Sequence, residues 1–119
     1  MEVTPEHNKR MANLIFADVY PHYVKKVESK DRTKDELHQV IEWLTGFNEK
    51  KIKKLINDKA TFKDFFEQAK LNPSANLIKG TICGYRIEDI KNSTTKQVRY
   101  LDKLVDELAK GKSMEKILR

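Results

Sequence analysis

The chain has 119 residues, of which 39% are apolar and 35% are charged, and its 24 basic and 18 acidic side chains give a net charge of +6. This length suits one domain with a modest core, so we predict a single domain over residues 1–119. No apolar run approaches the ~20 residues that span a bilayer, and no secretory signal pattern is present. A single cysteine excludes an intramolecular disulfide, and we expect a cytoplasmic protein.

The first segment is patterned as a helix that meets a proline. From Glu6, apolar residues at spacings of three and four predict one helical face that continues to Val19. Pro21 lacks an N–H, so we expect it to kink this helix or to begin a new one. The aromatic cluster from Tyr20 to Tyr23 is either a contact surface or, as we favour, the cap of a core at that kink.

The next three helices carry their own start signals. Thr33 with Glu36 three residues later is a capping box, in which each side chain bonds the free backbone N–H of the other residue. Gly46 is placed to end this helix as a left-handed residue. Asn48 and Thr61 predict the N-caps of the two helices that follow. The phenylalanines after Thr61 predict a large contribution to the core.

The segment from Leu71 to Ile90 is less regular. Asn72-Pro73 predicts an N-cap and first helical residue, and a helix from there would end near Cys83, with Gly84 as its left-handed terminus. On this interpretation Cys83 is a small buried hydrophobe. Glycines and β-branched residues also allow a strand over residues 79–87, and we favour the helix.

A connector over residues 85–92 leads to the last long helix. We expect this helix to begin at Ser93 or Thr94 and to end at Gly111, before a short terminal turn capped by Ser113. The predicted fold class is therefore all-α, a single compact orthogonal helical bundle of about six or seven helices.

Few residues form a pattern with recognisable chemistry. The histidines (His7, His22 and His38) lack metal-ligand spacing, and we expect them to face solvent. Cys83 would lie at a helix C-terminus, where the dipole disfavours a thiolate. No phosphate-binding glycine loop is present. We therefore predict no metal and no cofactor, and the balance favours a protein that is not an enzyme.

One short polar run stands out as a speculative binding site. Glu88 and Asp89 are an adjacent acidic pair in the connector, and two carboxylates can do acid–base work if a fold separates their pKa values. The simpler account is an ion pair with Arg86 or Arg99 that fixes the connector to the bundle. Tyr85 and Arg86 would be the polar groups of a small-molecule site between Cys83 and Asp89.

Basic charge suggests nucleic acid as an alternative partner. Residues 47–70 and 93–119 each carry a net charge of +3, enough to attract a polyanion in a salt-dependent way. Few arginine, asparagine or glutamine side chains are available to recognise bases, so specificity would be low. The lysines of this alternative lie on one predicted helix: Lys50, Lys51, Lys53 and Lys54.

Several segments together resemble a known family. FADVYPHYVKKVESKDRT, VIEWLTGF, LNPSANLIKGTICGYRIEDI and VRYLDKLVDELAKGKSMEKILR are similar, in this order, to bacterial proteins grouped as domain-of-unknown-function family 2200. The resemblance implies a small all-helical cytoplasmic protein, and it brings no activity, cofactor or site residue. Where the family pattern has Lys-Gly-Arg-Thr or Arg-Gly-Arg-Thr, this chain has Lys30-Asp31-Arg32-Thr33.

The favoured function is a non-enzymatic module that binds a protein partner or forms a homodimer. Its basis is a glycine-bearing stretch beside an aromatic cluster, without a catalytic constellation. Low-specificity nucleic-acid binding and a small-molecule site or enzyme near Cys83–Asp89 remain open as alternatives, and no membrane association is expected.

Overall fold

The structure is a computed structural model that describes residues 3–119. Seven α-helices lie within these residues: α1 (Pro5–Asn13), α2 (Phe16–Glu28), α3 (Lys34–Thr45), α4 (Glu49–Asn57), α5 (Phe62–Gln68), α6 (Ser93–Ala109) and α7 (Met114–Ile117). Between α5 and α6 the chain forms a 3-10 turn (Pro73–Leu77), a hairpin of β1 (Thr81–Ile82) and β2 (Tyr85–Arg86), and a second 3-10 turn (Ile87–Asp89). The prediction of an all-α bundle with about six or seven helices is confirmed.

Helix α6 is the central element of the bundle. It contacts α1, α2, α3, α5 and α7, as well as the hairpin. Phe16 of α2 packs against Phe62 and Phe65 of α5, with ring centroids 5.9 Å and 4.4 Å away, and all three side chains are fully buried. Each such side chain stabilises the fold by about 1.5–3 kcal/mol relative to leaving it exposed. The α5 phenylalanines therefore belong to the core, as predicted.

The local start and stop signals form as expected. At the start of α3, Glu36 N donates to Thr33 Oγ1 at 3.1 Å, and Thr33 N donates to Glu36 Oε1 at 2.9 Å. Gly46 ends α3 with a φ of +75°, and a Cβ there would lie 3.2 Å from the carbonyl oxygen of Lys70. The predicted caps of α4 and α5 are also confirmed, at Asn48 and Thr61.

The first predicted helix divides earlier than expected. The backbone leaves the helix at Leu14, and Phe16 N donates to Ala60 O at 2.9 Å while Phe62 N donates to Leu14 O at 2.8 Å. These bonds to a distant loop separate α1 from α2, and Pro21 lies inside α2. The alternative that Pro21 begins a new helix was wrong, because long-range backbone pairing at Leu14 and Phe16 overrides the local pattern.

The helix favoured after Asn72 was also wrong. Asn72 does cap, since its Oδ1 accepts from Ser74 N at 2.8 Å, but the turn that it begins is 3-10 and ends at Leu77. The strand alternative is right for the residues that follow, because Thr81 pairs with Arg86 and Ile82 pairs with Tyr85 in antiparallel register. The segment therefore forms a β-hairpin on the surface of the bundle, with two residues in each strand.

The tip of the hairpin explains this outcome. Cys83 has a φ of +53° and Gly84 a φ of +82°. Two consecutive left-handed residues are what a two-residue type I′ hairpin turn requires, since its twist matches that of the flanking strands. Gly84 therefore enables a hairpin turn rather than a helix terminus. Cys83 is exposed at this turn and is not the small buried residue that the sequence predicted.

Candidate functional site

Strand β2 presents two polar side chains in different directions, because successive residues of a strand face opposite sides. Tyr85 is half-buried against the bundle, with its ring centroid 5.0 Å from that of His7 in α1. The guanidinium of Arg99 in α6 lies 5.2 Å from the Tyr85 centroid, in cation–π geometry. Arg86, the next residue, is exposed and lines a cleft. Tyr85 therefore fixes the strand that presents Arg86.

Beneath Tyr85 lies a group of joined polar side chains, His7, Tyr23, Arg99 and Asp102, which we call the polar network. Arg99 is only 8% exposed, and its Nη1 donates to Asp102 Oδ2 at 2.9 Å. Tyr23 Oη donates to the other oxygen, Asp102 Oδ1, at 2.6 Å. Nη2 of Arg99 lies 3.3 Å from Nε2 of His7. The network therefore links α1, α2 and α6 directly under the hairpin.

The protonation of the polar network is set by its surroundings. Burial, together with the neighbouring carboxylate of Asp102, raises the pKa of Tyr23 well above its ordinary value, so its hydroxyl remains a neutral donor. Burial and the nearby charges of Arg99 and Arg10 lower the pKa of His7. A neutral His7 ring can therefore accept a hydrogen bond from Arg99 at neutral pH.

The cleft on the other side of β2 has a volume of about 490 Å³, and we call it the hairpin cleft. Its walls are formed by α1 and the residue Val3 before it, by the hairpin, and by the connector to α6. The lining residues are Val3, Asn8, Arg86, Asp89, Ile90, Lys91 and Asn92. Arg86 and Asp89, two of the predicted site residues, therefore meet residues of α1 and of the α6 cap in one concave surface.

Two asparagines of the hairpin cleft are oriented through their oxygens. Asn8 Oδ1 accepts from Thr95 Oγ1 at 2.7 Å, and Asn92 Oδ1 accepts from Thr95 N at 3.0 Å, as the N-cap of α6. Helix α6 therefore begins at Ser93, as predicted, with Asn92 as its cap. Because both oxygens accept hydrogen bonds, the amide nitrogens remain as donors for a ligand.

Glu88 has a structural role at the base of the hairpin. Its Oε1 accepts from Gly80 N at 2.8 Å, and its Oε2 lies 3.4 Å from Arg86 Nε. The hydrogen bond from Gly80 N is the main cause that lowers the pKa of Glu88, so the carboxylate stays ionised. The predicted pairing of the acidic run with Arg86 is therefore present at Glu88. Arg99, the other expected partner, pairs with Asp102 instead.

The histidines differ from one another. His22 is exposed, as predicted, whereas His7 is half-buried in the polar network. His38 is 8% exposed and its Nε2 forms a short hydrogen bond with Tyr20 Oη. The expectation that all three face solvent was wrong for His7 and His38, because contacts made far along the chain bury them. Sequence spacing also gave no sign of Tyr23 and Asp102, which lie 79 residues apart.

The four lysines of the nucleic-acid alternative lie on α4. Lys53 lies 3.8 Å from a carboxylate oxygen of Glu49, and Lys54 lies 2.8 Å from one of Asp58. Lys51 Nζ donates to the side chain of Gln68. Lys50 is exposed beside them. Much of the positive charge on this face is therefore offset by neighbouring acidic side chains.

The structure places no group of three or more metal-ligating side chains together within residues 3–119. In the same range, every helix is too short or too polar to cross a membrane.

Comparison with known proteins places the fold in a family. A family model described as "Uncharacterized protein conserved in bacteria (DUF2200)" matches residues 10–119, nearly the whole chain. The chain belongs to the DUF2200 family. The resemblance seen in the sequence is thereby confirmed. Among curated proteins, none matches the chain.

A solved structure is similar to this DUF2200 protein. The crystal structure of the uncharacterized protein SP1917 shares 40% sequence identity with it and superposes with a TM-score of 0.86. The similarity covers 92% of this chain and 91% of that one. The mostly helical architecture is therefore shared with SP1917.

The loop before α3 contains a residue in the left-handed conformation. The resemblance predicts glycine where this chain has Asp31, and the φ of Asp31, +62°, lies in the left-handed region. Glycine adopts this region without steric cost, and aspartate is among the few other residues that tolerate it.

Proposed function

We propose that this protein binds a small anionic ligand in the hairpin cleft. The observation that carries the proposal is that Arg86 and Asp89 line one concave surface with Asn8, Lys91 and Asn92. Two cationic side chains face one carboxylate there, so the lining carries a net charge of +1. The cleft also lies beside the N-terminus of α6, where backbone N–H groups favour negative charge.

The lining side chains define the ligand chemistry. The guanidinium of Arg86 and the ammonium of Lys91 can bind a phosphate or a carboxylate. The amide nitrogens of Asn8 and Asn92 add neutral donors, and Asp89 offers an acceptor for a hydroxyl or amine of the ligand. These are binding groups, and no hydrogen bond joins a nucleophile to a base among them. The proposal is therefore for ligand binding rather than catalysis.

Calorimetric titration with inorganic phosphate tests the proposal. We expect Arg86→Gln to weaken phosphate binding by roughly tenfold, the loss of one charge-assisted hydrogen bond. Lys50→Gln removes one positive charge from α4 and is the matched control, with an affinity within about twofold of wild type. If both variants weakened phosphate binding equally, phosphate affinity would depend only on net charge, and the proposal would be overturned.

A second candidate is protein binding at a groove on α2, which has a volume of about 510 Å³. The groove is mostly apolar, and its floor is formed by Tyr20, Pro21 and Val24. Its charged lining residues have a net charge of +1 and are Lys25, Glu28 and Lys34. The Lys34 ammonium lies 6.0 Å from the Tyr20 ring centroid. These features favour a peptide segment with an apolar anchor and flanking carboxylates.

Titration with an acidic peptide tests this candidate. The peptide carries leucine or phenylalanine, and amide chemical shifts of the protein are followed. Shifts should concentrate at the groove and disappear in Val24→Glu. A peptide with the same apolar residues and lysines in place of the acids is the control. Shifts of equal size with the basic peptide would contradict the candidate. A homodimer through this groove would instead appear in light scattering and would be disrupted by Val24→Glu.

Nucleic-acid binding through α4 stays a prediction with a separate test. Binding of random-sequence duplex or single strands at low salt should weaken steeply as salt rises, because lysines release counterions from phosphates. Undetectable binding at low salt would remove this alternative.

A further inference from the structure

A second cleft adjoins the hairpin cleft and shares two of its residues. It lies between α1, α5 and the start of α6, has a volume of about 460 Å³, and we call it the α5 cleft. Asn8 and Asn92 line both clefts, so the two clefts meet at these asparagines, and we call the pair the trough. The remaining lining of the α5 cleft is Pro5, Lys9, Ala12, Lys63, Glu67 and Thr94.

The two ends of the trough have matching charges. The hairpin cleft holds two cations, Arg86 and Lys91, with one carboxylate. The α5 cleft likewise holds two cations, Lys9 and Lys63, with the carboxylate of Glu67. Each end therefore carries a net charge of +1 and offers one acceptor. An extended ligand with an anionic group at each end would meet both pairs of cations.

The lining is unlike that of sites for one class of extended anion. Single-stranded nucleic acid is held largely by bases that stack on aromatic side chains. None of the described residues that line either cleft is aromatic. The acceptors Asp89 and Glu67 suit ligand hydroxyl groups, which donate hydrogen bonds to carboxylates.

From these observations we infer that the trough binds one sugar bisphosphate, with one phosphate in each cleft and the sugar between them, where its hydroxyls can donate to Asp89 and Glu67 and accept from the amide nitrogens of Asn8 and Asn92. The inference rests on the proposed function, because the hairpin cleft holds the first phosphate. It adds the second phosphate, the α5 cleft and the sugar that links them.

Titration with fructose 1,6-bisphosphate and fructose 6-phosphate at constant ionic strength tests the inference. Wild type should bind the bisphosphate at least about tenfold more tightly, the contribution of a second set of charge-assisted contacts. Lys63→Gln should remove most of this preference and leave monophosphate affinity within about twofold of wild type, because the bidentate guanidinium of Arg86 makes the hairpin cleft the preferred site for a single phosphate. Lys50→Gln is again the control for net charge, and thermal unfolding confirms that each variant is folded.

The results separate the two proposals. If wild type shows no preference for the bisphosphate, or if Lys63→Gln weakens the binding of both sugar phosphates equally, the inference is overturned. The proposal of binding in the hairpin cleft then still stands. If Arg86→Gln leaves monophosphate affinity unchanged, the proposed function is overturned, and the inference with it.

Discussion

The two sides of strand β2 differ in how their polar groups are used. On the inner side, the polar network places both oxygens of Asp102 in hydrogen bonds and buries Arg99. On the outer side, Arg86 is exposed, with Glu88 as its only ion-pair partner among residues 3–119, at 3.4 Å. Polar groups that are buried and paired hold a structure together, whereas exposed donors in a cleft remain available to a ligand. Tyr85 and Arg86, adjacent in sequence, therefore contact different surroundings, Tyr85 the polar network and Arg86 the hairpin cleft.

The largest effect is expected from breaking the polar network. Asp102→Ala leaves buried Arg99 and Tyr23 without their shared acceptor, so we expect the free energy of unfolding to fall by about 3 kcal/mol. Urea denaturation measures this change. Glu49→Ala, which removes an exposed partner of Lys53, is the control and should cost less than about 1 kcal/mol. A loss at Asp102 no larger than the control would show that the network is not structural.

Removal of the Tyr85 ring should affect both sides of the strand. We expect Tyr85→Ala to lower the free energy of unfolding by about 1–2 kcal/mol, since it removes contacts with His7 and Arg99. Phosphate affinity should also fall, because Arg86 would lose its fixed position. Tyr85→Phe keeps the ring and should behave as wild type in urea denaturation and calorimetry. If Tyr85→Ala destabilises the fold without any change in phosphate affinity, the two sides are uncoupled.

Substitution of Gly84 at the hairpin tip should change stability through backbone strain alone. No atom lies within 4 Å of a Cβ built on Gly84, so Gly84→Ala meets no clash. Its φ of +82° should still make the alanine variant less stable by about 1 kcal/mol. Gly84→Asn should recover part of this loss in urea denaturation, since asparagine tolerates the left-handed region. An alanine variant as stable as wild type would contradict the type I′ turn.

Acid should lower the stability that the polar network contributes through His7. The pKa of His7 is lowered in the folded protein by burial and by Arg99 and Arg10. The unfolded chain therefore binds a proton at His7 more readily than the folded protein does. The stability that neutral His7 contributes is fully present above its ordinary pKa near 6.5, and it is lost as the pH falls through the lower pKa of the folded protein. The thermal midpoint should drop less between pH 7.5 and 5.5 in His7→Gln than in wild type. An identical drop in both proteins would exclude His7 as the cause.

The smallest effect is expected far from the hairpin, at Asp31. Asp31→Gly relieves the left-handed φ but adds freedom to the unfolded chain, so we expect a net stabilisation of only about 0.5 kcal/mol or less. Lys30→Gly is the neighbouring control and should destabilise slightly. A loss of stability at Asp31 equal to that control would contradict the strain account.

Local signals predicted one part of this fold well. The capping box of Thr33 and Glu36, and the glycine that ends α3, depend on residues three or four positions apart, so a single sequence displays them. The division between α1 and α2 depends on backbone bonds from Leu14 and Phe16 to a loop around residue 61, which no local pattern reveals.

The candidate site was predictable only in part. Arg86 and Asp89 were recognisable because they lie in a polar connector between apolar elements. Lys91 and Asn92 follow them closely in the chain, whereas Asn8 joins them only because α1 packs against α6. The hairpin was missed because Asn72-Pro73 favours a helix start and the turn places a cysteine, rather than glycine or asparagine, in a left-handed conformation.

The most direct test of ligand binding in the hairpin cleft is to follow backbone amide chemical shifts during titration with inorganic phosphate. We predict saturable shifts at Arg86, Asn92 and the first residues of α6, with far smaller shifts along α4. In Arg86→Gln these shifts should need roughly tenfold more phosphate. Shifts spread evenly over the lysine-rich surface, or shifts at the cleft that are unchanged in Arg86→Gln, would contradict the account.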